Sequence, residues 1–295
     1  MPADTGILPA AQAGTITLGG DLTVNRLGYG AMRITGKGIW GPPADRAGAL
    51  ATLRRAVELG VNFIDTADSY GPEVSEELIA EALFPYPRDL VITTKVGWVR
   101  HGPGIWQHNA SPAHIQQAIE GSLKRLRLER IDVYQLHVPD PATSYDASME
   151  TLVQLKEQGK IRHIALSNVT LEHIKRAQKM VPIVSVQNRY SFNDREWDYV
   201  LDYCESQGIA FLPWGPISQS RKANEVVEKI AANRNVSTAV VSLAWLLRRS
   251  PVVLPIPGTS SIKHLEENVG ATSFKLADTE FAEMNAVVPK PYWLR

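Results

Sequence analysis

The chain has 295 residues, of which 44% are hydrophobic and 21% charged, so it can bury a substantial core. Its 31 basic and 31 acidic residues give a formal net charge of zero, which argues against a polyelectrolyte role on nucleic acid or an acidic membrane. A single cysteine, Cys204, excludes an intrachain disulfide and a cysteine-based metal cluster. No apolar run approaches the roughly 20 residues that a membrane helix needs, and the first residues lack the basic start and apolar core of a signal peptide. We therefore expect a cytoplasmic protein with a flexible leader over residues 1–14.

Residues 15–24 predict a β-hairpin, because two β-prone arms flank Gly19, Gly20 and Asp21. Short apolar runs rich in β-branched residues then alternate with segments whose apolar residues recur at helical spacing. The eight runs are residues 27–32, 62–67, 90–96, 131–137, 163–168, 183–188, 209–214 and 252–258. The clearest helical segments are residues 49–60, 75–84, 113–126 and 148–159.

Eight strands, each followed by helix, predict an α/β fold of the (β/α)8 TIM barrel type. Two doubly wound domains are the alternative, but no linker or change of composition marks a boundary between them. We expect one barrel domain over residues 15–295, with the β-hairpin across one end and a C-terminal helix and tail. Residues 97–110 show no periodicity, and we interpret them as a long functional loop on the active-site face.

Titratable residues stand at the ends of the predicted strands, where a barrel places its active site. Asp65 ends the second strand and precedes Tyr70, Lys95 lies in the third strand, and His137 ends the fourth. A lysine in a barrel mouth needs a carboxylate partner, which Asp65 can provide. The ammonium would lower the pKa of the Tyr70 phenol by stabilising phenolate, and His137 would orient a substrate oxygen. This set suits protonation of a carbonyl oxygen during hydride transfer.

Six motifs follow one another along the chain: NFIDTADSYG (62–71), VITTK (91–95), DVYQLH (132–137), IALSN (164–168), VQNRY (186–190) and IPGTSSIKHLEEN (256–268). At these residues the chain resembles the aldo-keto reductase superfamily, from about Leu18 to the C-terminal helix. The resemblance implies a barrel that binds NADP(H) without a Rossmann domain. It also implies a catalytic tetrad of Asp65, Tyr70, Lys95 and His137, with Tyr70 as the proton donor. Consistent with this, Arg33 stands where a dinucleotide fingerprint needs its third glycine.

The resemblance also assigns residues to the cofactor. The nicotinamide amide would be held by Ser167, Asn168 and Gln187, with the ring of Trp214 stacked on the nicotinamide. Further implied contacts come from the first predicted strand, the end of the second, the pyrophosphate loop, the 2′-phosphate loop and the adenine site. They are Gly30, Ala31, Met32, Asp65, Gly215, Pro216, Ile217, Gly258, Thr259, Ser260, His264, Glu267 and Asn268. Many family members have an arginine at the position of His264, so NADPH preference has less charge to rest on here.

Residues 24–33, 41–43 and 255–261 look like the bacterial pyridoxal reductase branch of the superfamily. That resemblance makes pyridoxal, reduced to pyridoxine, a candidate substrate. Four tryptophans fall in predicted loops or the tail, and we hypothesise that they line an apolar substrate pocket. They are Trp40, Trp98, Trp106 and Trp293. Packing of loops on the barrel is the other interpretation.

A cofactor-binding regulatory subunit with little turnover is the alternative function, as in channel-associated members of the superfamily. The intact tetrad favours catalysis. A Schiff-base lyase would need a lysine without a fixed carboxylate, and Asp65 argues against it. The seven histidines are not clustered as metal ligands are, so we expect no metal. The expected partner is a small carbonyl substrate, with no nucleic acid or membrane, and no segment indicates an oligomeric state.

Overall fold

The computed structural model describes residues 7–217 and 221–287, with only the backbone of residues 221–224. Its strands are β1 (Thr15–Leu18), β2 (Leu22–Asn25), β3 (Tyr29–Gly30), β4 (Phe63–Asp65), β5 (Val91–Val96), β6 (Trp98–Gly102), β7 (Ile105–His108), β8 (Ile131–Leu136), β9 (Ile161–Ser167), β10 (Ile183–Arg189) and β11 (Ala210–Trp214). Its α-helices are α1 (Arg46–Glu58), α2 (Val74–Leu83), α3 (Pro112–Leu126), α4 (Tyr145–Glu157), α5 (Leu171–Gln178), α6 (Asp198–Gln207), α7 (Arg221–Arg234), α8 (Thr238–Arg249), α9 (Ile262–Gly270) and α10 (Asp278–Val287). Within these ranges, none of the helices has the length and apolar character needed to span a bilayer.

A curled parallel sheet forms the centre of the molecule, in the order β11-β10-β9-β8-β5-β4-β3. Residues 252–258 complete the circle. Phe211 donates its amide hydrogen to the carbonyl of Val252 (2.9 Å), and Gly28 donates to the carbonyl of Pro255 (2.9 Å). Proline has no N–H to donate, so Pro255 and Pro257 limit the ladder on this segment to an isolated bridge. The predicted (β/α)8 barrel is confirmed, with all eight predicted runs in barrel positions.

Two glycines let the closing segment approach β3. A Cβ atom on Gly30 would lie 2.6 Å from the carbonyl oxygen of Ile256, and one on Gly258 would lie 2.7 Å from that of Gly30. Both distances are too short for real side chains, so larger residues would force the two backbones apart. This close approach is at the active-site end of the barrel.

Side chains inside the barrel form layers because alternate residues of a strand face the same side. The lowest layer is apolar and includes Phe63, Val91, Val133 and Ala165, packed on the predicted hairpin β1–β2, which closes that end. Two residues further along, the same strands present polar side chains, and these form the floor of the opposite end. A second apolar core lies between the strands and the surrounding helices.

The part of the predicted leader that the structure describes contains a short helix packed on the barrel. Pro9–Ala13 is a 3-10 helix, Ala10 is fully buried, and the amide of Ala10 donates to the carbonyl of Leu59 (2.9 Å). These contacts place Pro9–Ala13 against the end of α1, where small alanines fit, and the flexible leader over residues 1–14 stays a prediction.

The prediction of an unstructured loop over residues 97–110 is also wrong. Most of this segment is the antiparallel hairpin β6–β7, in which Trp98 pairs with His108 and Arg100 with Trp106. Pro103 and Gly104 make its turn, with Gly104 at a φ of 71°. The alternation of side chains was hard to see in the sequence because Arg100 points inward among its neighbours, with only 8% of its surface exposed.

Candidate active site

Four polar side chains meet at the carboxyl ends of the barrel strands, the end opposite the hairpin β1–β2. Asp65 ends β4, Lys95 lies on β5, His137 directly follows β8, and Tyr70 lies in the loop after β4. The Nζ atom of Lys95 lies 2.6 Å from Oδ2 of Asp65 and 3.3 Å from the hydroxyl of Tyr70. The rings of Tyr70 and His137 pack edge to face with centroids 5.8 Å apart. The structure thus brings the four residues of the predicted tetrad together.

Asp65 is held from three sides. Its Oδ2 atom accepts from Lys95, and its Oδ1 atom accepts from the side-chain amides of Gln135 (2.9 Å) and Gln187 (2.8 Å). Lys95 also donates to the carbonyl of Thr66 (2.8 Å). A buried ion pair is stable only when its remaining donors and acceptors are satisfied, and these bonds meet that condition.

The charge state of the Lys95–Tyr70 pair follows from opposing effects. Burial lowers the pKa of Lys95, but the Asp65 carboxylate and the Tyr70 oxygen raise it by more, so the lysine stays charged. Burial raises the pKa of Tyr70, while the Lys95 ammonium lowers it. The net pKa of Tyr70 lies above its usual value, which corrects the expectation of a net decrease. Tyr70 is therefore a fully protonated phenol at neutral pH.

His137 is a neutral imidazole in this setting. Burial, with a smaller contribution from the nearby Lys95 ammonium, lowers the pKa of His137 well below its usual value. Its Nδ1 atom is buried and has no hydrogen-bond partner among the described residues. A neutral ring carries one N–H, which it can donate to a substrate oxygen.

A cavity of about 430 Å³ opens above the tetrad and extends to Pro257 and Gly258 of the closing segment. The predicted cofactor residues that line it belong to the turn after β3, the ends of β9, β10 and β11, and the closing segment. They are Gly30, Met32, Asp65, Ser167, Asn168, Gln187, Trp214, Gly215, Pro216, Ile217 and Gly258. The part of the cavity beside the tetrad, which we call its reacting end, is lined by Tyr70, His137, Trp98 and Trp106.

Several predicted residues do not line this cavity. Ala31 is fully buried and its carbonyl accepts a hydrogen bond from Ser75 (3.1 Å). The remaining ones belong to the segment beyond Gly258 and to α9, whose amino-terminal cap is Ser261. In this group, Thr259 and Asn268 are buried, Ser260 and His264 are exposed, and Glu267 lines a separate surface pocket.

Of the four predicted pocket tryptophans, Trp98 and Trp106 line the cavity. Trp98 packs edge to face on Trp106 (5.8 Å) and on His137 (6.4 Å). Trp40 is not among the residues described as lining it, and instead bridges Gly71 through its backbone. Trp293 lies outside the described residues. The hypothesis of an aromatic substrate pocket therefore continues with Trp98 and Trp106.

Sequence reasoning missed three residues at the site. Gln135 lies on β8, two positions before His137, so the alternation of side chains could have placed it beside Asp65. Arg33 lines the cavity, and its Cγ atom approaches Gly258. Arg100 contacts the ring of Trp106, with its guanidinium carbon 3.7 Å from the ring centroid. No sequence pattern marks the last two, because their neighbours come from distant segments.

The sequence of this chain is similar to a known protein family and to known relatives. The model of the Aldo/keto reductase family matches residues 26–289. An uncharacterized oxidoreductase of Schizosaccharomyces pombe is 46% identical over 96% of this chain and 92% of the relative. Pyridoxine 4-dehydrogenase of Escherichia coli is 42% identical over 94% of this chain and 99% of the relative.

A solved structure supports the same assignment. The aldo/keto reductase of Klebsiella pneumoniae in complex with NADP and acetate superposes with a TM-score of 0.80 at 26% identity, over 94% of this chain and 96% of that one. The match of family model, relatives and barrel extends over nearly the whole sequence. The chain belongs to the aldo/keto reductase family of oxidoreductases.

Proposed function

We propose that this enzyme uses NADPH to reduce an aldehyde or ketone to an alcohol, with Tyr70 as the proton donor. The observation that carries the proposal is the placement of the protonated Tyr70 hydroxyl between the Lys95 ammonium and the His137 ring, at the reacting end of the cavity. Bound NADPH would supply a hydride to the carbonyl carbon, and negative charge would then develop on the carbonyl oxygen.

The tetrad residues have separable roles in this proposal. The neutral His137 ring donates a hydrogen bond that orients the carbonyl oxygen, and the Tyr70 hydroxyl transfers its proton to that oxygen. The phenolate left behind is stabilised by the Lys95 ammonium, 3.3 Å away. Asp65 holds that ammonium in place and balances its charge inside the barrel.

The side chains around Trp214 fit the carboxamide of a nicotinamide. Asn168 donates both amide hydrogens, to the carbonyl of His137 (3.0 Å) and to Oγ of Ser167 (3.1 Å), and its Oδ1 accepts from Trp214 Nε1 (3.0 Å). Gln187 likewise spends its amide hydrogens on Asp65 and Gln135. The hydroxyl hydrogen of Ser167 remains as a donor, and the side-chain oxygens of Asn168 and Gln187 remain as acceptors. These groups complement a carboxamide, which has one acceptor oxygen and two donor hydrogens.

The other end of the cavity suits the cofactor's phosphates. The backbones of Gly30 and of the closing segment approach each other closely at this end, and the amino terminus of α9, capped by Ser261, favours anions. Arg33 lines this part of the cavity with an exposed guanidinium. We infer that Arg33 provides positive charge to the phosphates, which offsets the histidine at position 264.

For the substrate, we propose an aromatic aldehyde, with pyridoxal as the first candidate. The indole rings of Trp98 and Trp106 form a planar apolar wall beside Tyr70 and His137, which suits a flat aromatic ring. The pyridoxine 4-dehydrogenase of Escherichia coli, a relative over nearly the full length, supports the same class.

The proposal is tested by following NADPH absorbance with pyridoxal and with a panel of aromatic and aliphatic aldehydes, and by repeating the assay with NADH. Turnover that favours pyridoxal and NADPH would support it. Equal turnover across the panel would contradict an aromatic aldehyde specificity. Tight NADPH binding with no consumption on any carbonyl would favour a cofactor-binding regulatory protein instead.

A further inference from the structure

Arg100 connects three segments around the reacting end of the cavity. Its guanidinium donates to the carbonyls of Gly38 (3.0 Å) and Ile39 (2.9 Å), to that of Ser69 (3.2 Å), and to those of Gly102 (3.4 Å) and Ile105 (3.1 Å). These acceptors belong to the loop before α1, to the residue preceding Tyr70 and to the hairpin β6–β7. One planar side chain therefore fixes the hairpin relative to the loop that carries the proton donor.

The charge of Arg100 is not balanced by an acidic partner in the described residues. Only 8% of its surface is exposed, and burial lowers its pKa. The guanidinium carbon also lies over the indole of Trp106, 3.7 Å from the ring centroid. Removing a charge from water costs free energy. The five hydrogen bonds to backbone carbonyls and the contact with the aromatic face of Trp106 offset that cost for Arg100. This arrangement restricts the guanidinium to one position, and the contact restricts the ring of Trp106 as well.

We propose that Arg100 is a positioning residue that holds Trp106 and Trp98 in the place where they contact the substrate. Trp98 transmits the position of Trp106 to the His137 ring, because it packs edge to face on both. Tyr70 has its own hydrogen bond with Lys95 (3.3 Å), and the residues expected to hold the cofactor come from segments other than the hairpin. Loss of the Arg100 bonds thus affects substrate binding more than proton transfer or cofactor binding. This inference rests on the proposed carbonyl reductase function for its kinetic part only.

Arg26 provides a matched control at the opposite end of the barrel. Its guanidinium donates to the carbonyls of Leu247 (2.9 Å), Ser250 (2.7 Å) and Val253 (3.3 Å), and burial lowers its pKa as it does for Arg100. Lysine at either position keeps the charge and the aliphatic stem but loses the planar fork that reaches several acceptors. The two substitutions therefore remove the same chemistry from different places.

The kinetic test compares Arg100→Lys with Arg26→Lys, using the aldehyde that the wild type reduces fastest. For Arg100→Lys we expect KM to rise about tenfold, kcat to fall less than about threefold, and the Kd of NADPH to stay within about twofold. Arg26→Lys should leave KM unchanged. An Arg100→Lys enzyme with wild-type KM, or one whose kcat and KM are affected equally by both substitutions, would overturn the positioning role.

A second measurement does not need turnover. Hydrogen exchange followed by mass spectrometry should show faster exchange at residues 36–41 and 98–108 in Arg100→Lys, and near residues 247–253 in Arg26→Lys. Unchanged exchange in the hairpin would overturn the proposal even if KM moved. If the wild type reduced no carbonyl, this result would still decide the role of Arg100. If Arg100→Lys failed to fold while Arg26→Lys folded, Arg100 would be a folding determinant and the proposal would be wrong.

Discussion

Replacing Lys95 by methionine removes a positive charge from a fully buried position while keeping an unbranched side chain there. Asp65 would keep the hydrogen bonds from Gln135 and Gln187 but would lose its cation at 2.6 Å. A buried charge left without its partner costs about 3–5 kcal/mol. We therefore expect Lys95→Met to lower the free energy of unfolding by that amount, a large part of the stability of a typical domain.

The double variant separates the pair from its members. Asp65→Asn alone leaves the ammonium uncompensated and should be similarly destabilising, whereas Asp65→Asn with Lys95→Met leaves no unpaired ion. The loss in the double variant should be smaller than the sum of the single losses by about 2–3 kcal/mol. The two variants that carry Lys95→Met should be nearly inactive, because the phenolate of Tyr70 would lose its stabilising ammonium. Asp65→Asn should also lose activity, because the Lys95 ammonium would no longer be held in place by Asp65.

Urea denaturation followed by circular dichroism at neutral pH measures these free energies. The exposed pair of Arg176 and Asp146, with Nε and Oδ1 at 2.6 Å, is the control, and its double-mutant cycle should be additive. If the effects at Lys95 and Asp65 were additive as well, the two side chains would not act as a coupled buried pair, and our account of the tetrad's charge balance would be refuted.

Three further predictions concern the ring, the wall and the phosphate end of the cavity. Below about pH 6.5 the unfolded chain binds a proton at His137 that the folded protein does not, so the free energy of unfolding of the wild type should fall as the pH is lowered. The fall should exceed that of His137→Gln by up to about 1.4 kcal/mol per pH unit. Parallel pH profiles of the two unfolding free energies would argue against a neutral, buried His137. Trp106→Ala should raise KM for aromatic aldehydes more than for short aliphatic ones in steady-state assays. An equal change in KM for both classes would contradict the hypothesis that Trp106 contacts an aromatic substrate. Arg33→Ala should weaken NADPH binding about fivefold, as measured by quenching of tryptophan fluorescence, since an exposed charge pair contributes about 1 kcal/mol; an unchanged Kd would leave Arg33 without a role at the cofactor.

The barrel and its tetrad were predictable because each rests on a periodic or local pattern. The apolar runs recur at the spacing of a barrel, and Asp65, Lys95 and His137 each end or interrupt one of them. The same alternation contains Gln135, which shows that inspection of strand ends alone overlooks polar residues one step deeper in the barrel. The closing segment was also predictable as a strand, although its two prolines donate no hydrogen bonds and leave it with an isolated bridge in place of a regular ladder.

Other features depend on contacts that the sequence does not encode locally. The bonds of Arg100 go to backbone carbonyls, which every residue type has, so no pattern identifies them. The net pKa of Tyr70 depends on burial that outweighs the Lys95 charge, and the degree of burial is known only from the fold. Ordering of residues 9–13 likewise depends on a surface beside Leu59 that exists only after the barrel has formed.

The most direct test of the central claim is single-turnover reduction by wild type and Tyr70→Phe, started from the NADPH complex and followed by NADPH absorbance. We expect the substitution to lower the rate of hydride transfer by about 10²–10⁴-fold, the contribution of a positioned general acid, and to leave the Kd of NADPH within about twofold. A Tyr70→Phe enzyme that reduced the aldehyde at a rate close to wild type would contradict Tyr70 as the proton donor. Loss of NADPH binding in that variant would instead assign Tyr70 to the cofactor site.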